Sequence, residues 1–276
     1  MLCSALSHAQ VQQLAEVILR AQRIQSSIQP ISQTDIAQDS LLLKQDIGEL
    51  LQGVPSLFVS SQQNFSQDTR ISIRGFGTRA TFGIRGIKIL WDGIPMTTPD
   101  GQTQLDHIPL SSLGTIEVIR GVSSGLYGNA SGGVIMLKSS PIKPKKTLTA
   151  NYGDFGSQHL VGSYGSKNEK NLFRAVAEHK KYLGYRHWSG YENSLINLSN
   201  TFINTNGDKL TVTYNYFNSP LALDAGGLTA AEVRENRSQA RQRNLDYKAG
   251  EKVKQHQLTA RWQNKKWTTY GFLAKR

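Results

Sequence analysis

The residues after Lys145 alternate between apolar and polar side chains, and this period of two constrains the fold more than any other feature of the chain. The alternation is clearest in "TLTANYG" (147–153), "KLTVTYNYFN" (209–218) and "HQLTARWQN" (256–264). Successive side chains of a β-strand point to opposite faces, so these segments predict strands with one apolar face and one face of Thr, Asn, Gln and Arg. We expect about seven such strands between residue 145 and residue 276.

The connections between these strands alternate in length. Tight polar turns are expected at 167–171, 206–208 and 264–265, whereas the longest connection falls within 218–254. Short turns at one end, long loops at the other and aromatic residues near the strand ends are typical of an outer-membrane β-barrel. A soluble antiparallel sandwich also alternates, but its inward face is apolar, so the polar second face favours a wet lumen.

Residues 36–140 have a different pattern, that of a compact α+β unit. A short helix is predicted in "DIGELLQGVPSLFV", where Pro55 ends the helical pattern. Strands are predicted at 70–74, 87–91, 115–120 and 134–137, and Asp92-Gly93 is a strong hairpin-turn signal. The stretch 71–95 combines five glycines with several arginines, which suits backbone that turns sharply beside a polar surface.

Composition excludes several classes of function. The single Cys3 excludes a disulfide scaffold and a multi-cysteine metal site, and the six histidines lack ligand spacing, so no metal site is predicted. The glycine-rich stretches match neither G-x-G-x-x-G nor a P-loop, and no catalytic motif is present, so we predict no enzyme and no cofactor. The net charge of +12 would suit nucleic acid, but the alternating strands argue against a nucleic-acid partner.

Five segments, in order, resemble the plug domain of TonB-dependent outer-membrane receptors. They are "LAEVILRAQR", "DIGELLQGVPSLFV", "ISIRGFG", "IKILWDGIPM" and "IEVIRGVSSGLYGNASGGVIMLKSS". The resemblance covers residues 14–140 and continues more loosely to the end of the chain. It implies an α+β plug domain followed by antiparallel transmembrane β-barrel strands, and because such barrels have about 22 strands, the barrel here is incomplete. We therefore expect a fragment, either cut from a longer receptor or produced by a truncated gene.

The resemblance also implies a domain organisation. Residues 1–9 are either the remnant of a signal peptide or an ordinary frayed terminus, residues 10–35 are a tether, 36–140 the plug and 141–276 the first part of the barrel. The tether contains the expected TonB box, Glu16, Val17, Ile18 and Leu19, which would add a strand to the TonB energy-transducing complex. Arg20 departs from the family pattern, and an ordinary short buried strand remains the alternative.

The same resemblance assigns roles to individual residues. Arg74 and Arg120 match the arginines of the family's "IRG" motifs and are expected to contact carboxylates of the barrel wall. The residues expected to face the ligand, by analogy with apical turns of the plug, are Arg79, Thr81, Phe82, Thr97, Thr98, Asp100, Gln102 and Gln104.

The implied function is active import across the outer membrane of a Gram-negative bacterium, in contact with outer-membrane lipid. The excess of basic over acidic residues favours an anionic Fe(III) complex as the transported ligand. Such a complex would be a ferric siderophore or a ferric carboxylate. Heme, cobalamin and other metal chelates remain alternatives. A soluble periplasmic sensor or plug-like binding protein, and a non-functional truncated product, also remain open.

Overall fold

The computed structural model describes residues 31–35, 46–51, 54–60, 64–78, 80, 83–97, 101–128 and 130–276. Among these residues, no helix has the length and apolar character that crossing a membrane requires. The described chain forms an N-terminal unit, within residues 31–140, and a strand wall, residues 146–275.

The N-terminal unit is built from short elements. In chain order they are β1 (Ile31–Asp35), α1 (Ile47–Leu51), β2 (Leu57–Ser60), β3 (Arg70–Ile73), β4 (Ile87–Trp91), β5 (Ile94–Pro95), β6 (Leu113–Ile119) and β7 (Gly133–Ser139). Five of them form a sheet in the order β1-β6-β7-β4-β5, in which β4 and β7 are parallel. The strands β2 and β3 form a separate hairpin.

One apolar cluster holds this unit together. It is formed by residues between Ile47 and Leu137, and Leu51, Ile73, Ile89 and Leu113 in it have no exposed surface. Because every member of this cluster belongs to the N-terminal unit, the unit has a core of its own. The predicted helix and four predicted strands are all present, and Trp91 pairs with Ile94 around the predicted Asp92-Gly93 turn.

Three strands of this unit were not predicted: β1, β2 and the two-residue β5 that follows the Asp92-Gly93 turn. Residues 31–35 pair with β6 along their whole length, so part of the range assigned to the tether belongs to the sheet. The sequence "ISQTD" is too polar to predict a strand. Its place in the sheet depends on backbone hydrogen bonds, which cannot be read from composition. The strand β2 follows Pro55, where the helical pattern ends, and no strand was predicted there.

The wall is a seven-stranded antiparallel sheet in which each strand pairs with the next in sequence. Its strands are β8 (Lys146–Gly153), β9 (Ser157–Lys167), β10 (Asn171–Tyr182), β11 (Tyr191–Ile203), β12 (Lys209–Leu223), β13 (Gly250–Gln263) and β14 (Thr268–Lys275). Within the described part of the chain, β8 and β14 each pair on one side, so the sheet has two open edges.

The two ends of the wall differ as predicted. Residues 168–170, 204–208 and 264–267 connect the strands at the short end, and residues 154–156, 183–190 and 224–249 connect them at the long end. The longest connection carries two short helices, α2 (Ala230–Glu235) and α3 (Gln242–Asp246), and Thr229 with Glu232 forms a capping box at the start of α2. The first connection at the long end, residues 154–156, is as short as the turns at the short end. The predicted alternation of short turns and longer connections did not include this short connection.

The two faces of the wall have opposite chemistry. On β13, Gln257 and Thr259 face the N-terminal unit and are buried, whereas Leu258 is 48% exposed and Trp262 is 41% exposed on the other side. The same division holds on β12, where Asn215 is 2% exposed and Leu210 is 41% exposed. The face toward the N-terminal unit is therefore mostly polar, apart from a buried cluster of Leu195, Phe217 and Val253, and the mostly apolar face points outward.

A glycine pair in the stretch 71–95 provides a test of this packing. Gly77 has a φ of +93°, and a Cβ there would lie 2.6 Å from the carbonyl oxygen of Ile71, whereas Gly75 has a φ of +86° and open space around it. We expect Gly75→Ala to cost about 1–2 kcal/mol from backbone strain, and Gly77→Ala to cost about 1–3 kcal/mol more because of the clash.

The measurement is urea unfolding of residues 31–140, followed by the fluorescence of Trp91, which is buried and is the only tryptophan in that segment. Equal stability of the two variants would contradict the close approach of Gly77 to β3.

Candidate functional site

A cleft opens at the long end of the molecule, between the N-terminal unit and the wall. Its volume is about 80 Å³, and it is lined by residues 64–70 and 105–110 on one side and by the upper ends of β10 and β11 on the other. A cleft of this size holds a few water molecules. A larger molecule could contact this cleft but could not enter it.

Aromatic side chains form one wall of the cleft. The ring of Phe65 stacks on that of Tyr191, with centroids 4.3 Å apart and planes at 17°, and it meets Tyr182 edge-on at 6.0 Å. Asn193 donates a hydrogen bond from its amide to the hydroxyl of Tyr191. Offset and edge-on ring contacts of this kind stabilise the arrangement beyond the area they bury. Phe65 is thereby held in place by two strands of the wall.

Asp224 joins the cleft to the longest connection of the wall. Its carboxylate accepts hydrogen bonds from Asn64 Nδ2 at 2.9 Å and from Gln67 Nε2 at 3.2 Å. The same carboxylate accepts from the backbone N–H of Gly226, and the backbone N–H of Asp224 donates to Ala249. These hydrogen bonds join the segment 64–67 to the base of the 224–249 connection.

Charged side chains of both signs line the cleft. The carboxylates belong to Asp46, Asp68 and Asp106, and the cations are Arg70 and Lys180. Asp46 accepts from the backbone N–H of Gly48 and from Thr69, so it caps helix α1. Asp68 accepts from Gln104, and Lys180 lies 2.7 Å from Glu178. The site has slightly more negative than positive groups, although the whole chain is strongly basic.

The adjacent Asp106 and His107 have shifted pKa values. Burial, the like charge of Asp68 and then that of Glu251 raise the pKa of Asp106 to about 7. The Asp106 side chain nevertheless touches the water of the cleft, and this screening reduces its effect on stability. Burial, aided by the charge of Arg276, lowers the pKa of His107 to about 4, and His107 is 6% exposed. His107 is therefore neutral at neutral pH.

Below the cleft, hydrogen bonds seat the N-terminal unit on the wall. Asn215 Nδ2 donates to the carbonyl of His107 at 2.7 Å, Arg261 donates to the carbonyl of Asp92 at 3.2 Å, and Arg174 donates to that of Ser140 at 3.1 Å. All three contacts use carbonyls of the N-terminal unit, so wall side chains satisfy part of its backbone.

Glu178 is the acid through which the wall holds the N-terminal unit. Its carboxylate accepts from Ser111 Oγ at 3.1 Å, and it also contacts His159 at 2.9 Å and Lys180. Glu178 is 5% exposed, so these three partners stabilise a charge that would otherwise be costly to bury.

The structure separates the two arginines expected to contact the wall. Arg120 is buried and donates to the carbonyl of Pro55 at 2.6 Å within the N-terminal unit, whereas the side chain of Arg74 is exposed. Both lie beside Pro55 and Ser56, because the backbone N–H of Arg74 donates to the carbonyl of Ser56. Their pairing with carboxylates of the wall stays a prediction.

The predicted ligand-facing residues divide into two groups. Gln104 reaches the cleft through Asp68, Thr97 accepts a hydrogen bond from Thr103, and Gln102 is half-buried. Outside the described residues lie Arg79, Thr81, Phe82, Thr98, Asp100 and the predicted box Glu16, Val17, Ile18 and Leu19. Within the described residues, no group of three or more His, Cys, Asp or Glu side chains could hold a metal ion.

Several residues of the cleft were not predicted. They are Asn64, Phe65, Gln67, Asp68, Arg70 and Asp106, with Lys180, Tyr191 and Asn193 from the wall. The segment "SSQQNFSQDTR" (60–70) contained a usable signal, a single aromatic residue in a polar stretch. Such a pattern is typical of an exposed binding loop. The wall residues had no such signal, because each is one polar position in a regular alternation.

Comparison with known proteins gives one family. Residues 20–134 match the family model described as TonB-dependent Receptor Plug Domain. The vitamin B12 transporter BtuB of Vibrio vulnificus (strain YJ016) is 30% identical over 192 residues, which is 65% of this chain and 30% of that protein. The chain thus spans less than a third of that relative.

Solved structures share the fold. The unliganded ferric citrate transporter FecA superposes with a TM-score of 0.66 at 17% identity, over 89% of this chain and 39% of that one. The siderophore receptor PirA from Acinetobacter baumannii gives a TM-score of 0.57 at 15% identity, over 88% of this chain and 39% of that one. At these identities the comparison supports the architecture of plug and wall.

The two shifted groups predict opposite pH dependences. The pKa of His107 falls from 6.5 to about 4 on folding, so the unfolded chain takes up the proton first, and about 3 kcal/mol of stability is lost as the pH falls from 6.5 to 4. The raised pKa of Asp106 acts in the opposite direction and opposes this loss.

We therefore expect the Asp106→Asn protein to lose stability more steeply than the unaltered chain between pH 7 and pH 4. Adding His107→Gln should remove most of that slope. The measurement is urea unfolding of the whole chain in neutral detergent at several pH values. An unchanged slope in the double variant would show that His107 is not the group that titrates.

Proposed function

Because this chain carries a TonB-dependent receptor plug domain in the outer membrane of a Gram-negative bacterium, followed by strands that enclose the plug, we propose that it acts in the active uptake of a metal chelate. No covalent bond changes in such a process. The chelate binds at the long end of the molecule, and a periplasmic TonB complex supplies the energy through the segment around residues 16–19.

The seating of the plug on the wall is the observation that carries this proposal. The wall presents a mostly polar face to the plug and an apolar face outward, and among the described residues polar side chains such as Asn215 and Glu178 join wall and plug. A plug held by polar contacts can be loosened without exposing an apolar interface, because water replaces each lost hydrogen bond. This is what energy-driven passage through the lumen requires.

The ligand that we propose is an anionic Fe(III) complex, a ferric siderophore or ferric carboxylate. The net charge of +12 supports an anionic ligand, and Arg70 contributes a cation to the cleft. Cobalamin is the second candidate, because the BtuB relative transports vitamin B12 and because carboxylates outnumber cations in the cleft.

Deletion of the gene in the bacterium that carries it, followed by uptake measurements with labelled ferric chelates and with labelled cobalamin, distinguishes the two ligands. We expect uptake of one ferric chelate to fall and cobalamin uptake to persist. Loss of cobalamin uptake alone would replace the iron proposal with the second candidate, and loss of neither would contradict uptake of both ligands.

Arg70 and Arg74 provide a matched pair for the ligand contact, because Arg70 is the first residue of β3, Arg74 follows its last residue, and both are exposed. We expect Arg70→Gln to weaken binding of the ferric chelate by about 1.5–3 kcal/mol, the contribution of one hydrogen bond to a charged group. Arg74→Gln, away from the cleft, should bind as the parent does. Titration of the chelate into purified protein measures both, and equal affinities would contradict a role of Arg70.

The proposed TonB box is tested separately. Ile18→Pro should abolish uptake but leave ligand binding intact, because proline lacks the N–H that strand addition needs. Uptake is compared in iron-limited cells carrying either form, with Ile18→Val as a control that keeps strand propensity. Equal uptake in all three would place energy coupling in a different segment.

A further inference from the structure

Positive charge is concentrated at the short end of the molecule. The same segments, namely the turns, the adjoining strand ends and the linker between plug and wall, carry only two acidic residues, Glu169 and Asp208. The connections at the long end are nearly balanced, with six cationic and five acidic side chains. The short end lies away from the cleft, so a chelate bound in the cleft does not contact its charges. The exposed lysines of the short end are Lys143, Lys145, Lys146, Lys167, Lys170, Lys209, Lys265 and Lys266.

These eight lysines are not neutralised within the described part of the chain. The ion pairs that lysines form there join residue 138 to 117 and residue 180 to 178, and neither pair contains one of the eight. Asp208 accepts a hydrogen bond from Asn204 within its own turn at 3.0 Å. The ammonium of Lys146 lies 5.6 Å from the ring centroid of Tyr164, a contact that leaves its charge in place. The short end therefore presents a row of charges to an external partner.

The sheet spaces these charges regularly. Each of the turns 168–170, 204–208 and 264–267 joins a separate pair of neighbouring strands, so consecutive turns are two strands apart. Neighbouring strands lie about 4.8 Å apart, which places the turns at intervals of about 10 Å and spreads the row over about 30 Å from β8 to β14. A row of this length suits an extended polymer with repeated charges better than it suits one compact anion.

The linker decides which polymer reaches the whole row. Gly165 pairs with Arg174, which points toward the plug and donates to the carbonyl of Ser140, and a Cβ on Gly165 would lie 2.1 Å from the carbonyl oxygen of Lys143. The linker backbone, including Lys145, therefore crosses the plug side of the wall, opposite the outward apolar band that faces lipid. A partner of the whole row must pass below the wall, in the periplasm, because short turns of such barrels face that compartment.

We propose that the basic short end binds peptidoglycan, the carboxylate-bearing polymer of the periplasm. The free carboxylates of its peptide stems contact the lysine ammonium groups, and each contact is weak because both partners are exposed to water. Several weak contacts with one polymer add up, because the first contact raises the effective concentration for the next. The surface holds the wall against the polymer layer beneath the membrane, and it is independent of the chelate site at the opposite end.

The chain offers a matched control, because equally exposed lysines lie on β13 and β14 outside the short end. The whole chain in neutral detergent micelles is mixed with purified, protein-free peptidoglycan sacculi, and the fraction that sediments with them is measured as the sacculus concentration rises. Sacculi whose carboxylates have been amidated serve as a neutral comparison. Two triple variants remove the same charge: Lys145→Gln/Lys170→Gln/Lys265→Gln at the short end and Lys252→Gln/Lys254→Gln/Lys275→Gln as the control.

We expect the short-end variant to bind intact sacculi about eightfold more weakly than the parent, since each exposed ion pair contributes about twofold. The control variant should bind as the parent does, and the parent should not sediment with amidated sacculi. Equal weakening by the two triple variants would overturn the proposal in favour of diffuse attraction to the basic chain. Undiminished binding to amidated sacculi would overturn it too, because carboxylates would then not be the groups recognised.

An anionic membrane lipid is the competing occupant of the short end. If phosphatidylglycerol added to the micelles abolished sedimentation of the parent with sacculi, lipid would be the preferred partner and the proposal would be wrong. If the short-end triple variant does not fold, Lys143→Gln/Lys145→Gln takes its place, because both residues lie in the linker outside the strands. Its expected loss is about fourfold, and parent-like affinity would contradict the contact of the linker with the polymer.

Discussion

The structure depends on one constraint, that each wall strand must meet two different environments with alternate residues. Asn215 and Gln257 satisfy the plug on one side, while Leu210 and Leu258 are exposed on the other. A shift of register by one residue would exchange the two faces and place outward side chains such as Leu210 and Leu258 against the plug. The plug, the cleft and the outward apolar band all follow from keeping this register across seven strands.

The same constraint explains how the plug and the wall contribute differently to the stability of the structure. The plug is stable through its own apolar cluster, so the wall needs only a few polar contacts to hold it. Those contacts end in backbone carbonyls or in Glu178, so below the cleft hydrogen bonds of polar side chains hold the plug on the wall. The cleft at the long end is firmer, because Phe65 stacks on Tyr191 and Asp224 joins plug and connection. The cleft is therefore lined by plug and wall at once.

Much of this fold could be predicted, because period-two alternation and turn chemistry are local signals. The seven strands, the short and long ends and the Asp92-Gly93 hairpin all follow from them. The strand Ile31–Asp35 did not, since its place depends on hydrogen bonds with a distant partner. The cleft was missed for the same reason. Tyr191 and Phe65 are far apart in sequence, and only the packing of plug on wall brings their rings together.

The orientation of the two wall faces is tested most directly by lipid contact along β13. Single cysteines at residues 257 to 262, in a chain with Cys3 replaced, would carry a fluorescent label in lipid nanodiscs. Quenching by spin-labelled acyl chains should alternate, strong at positions 258, 260 and 262 and weak at 257, 259 and 261, because the first set points outward. Uniform quenching, or the opposite alternation, would contradict a wall that encloses the plug with its polar face.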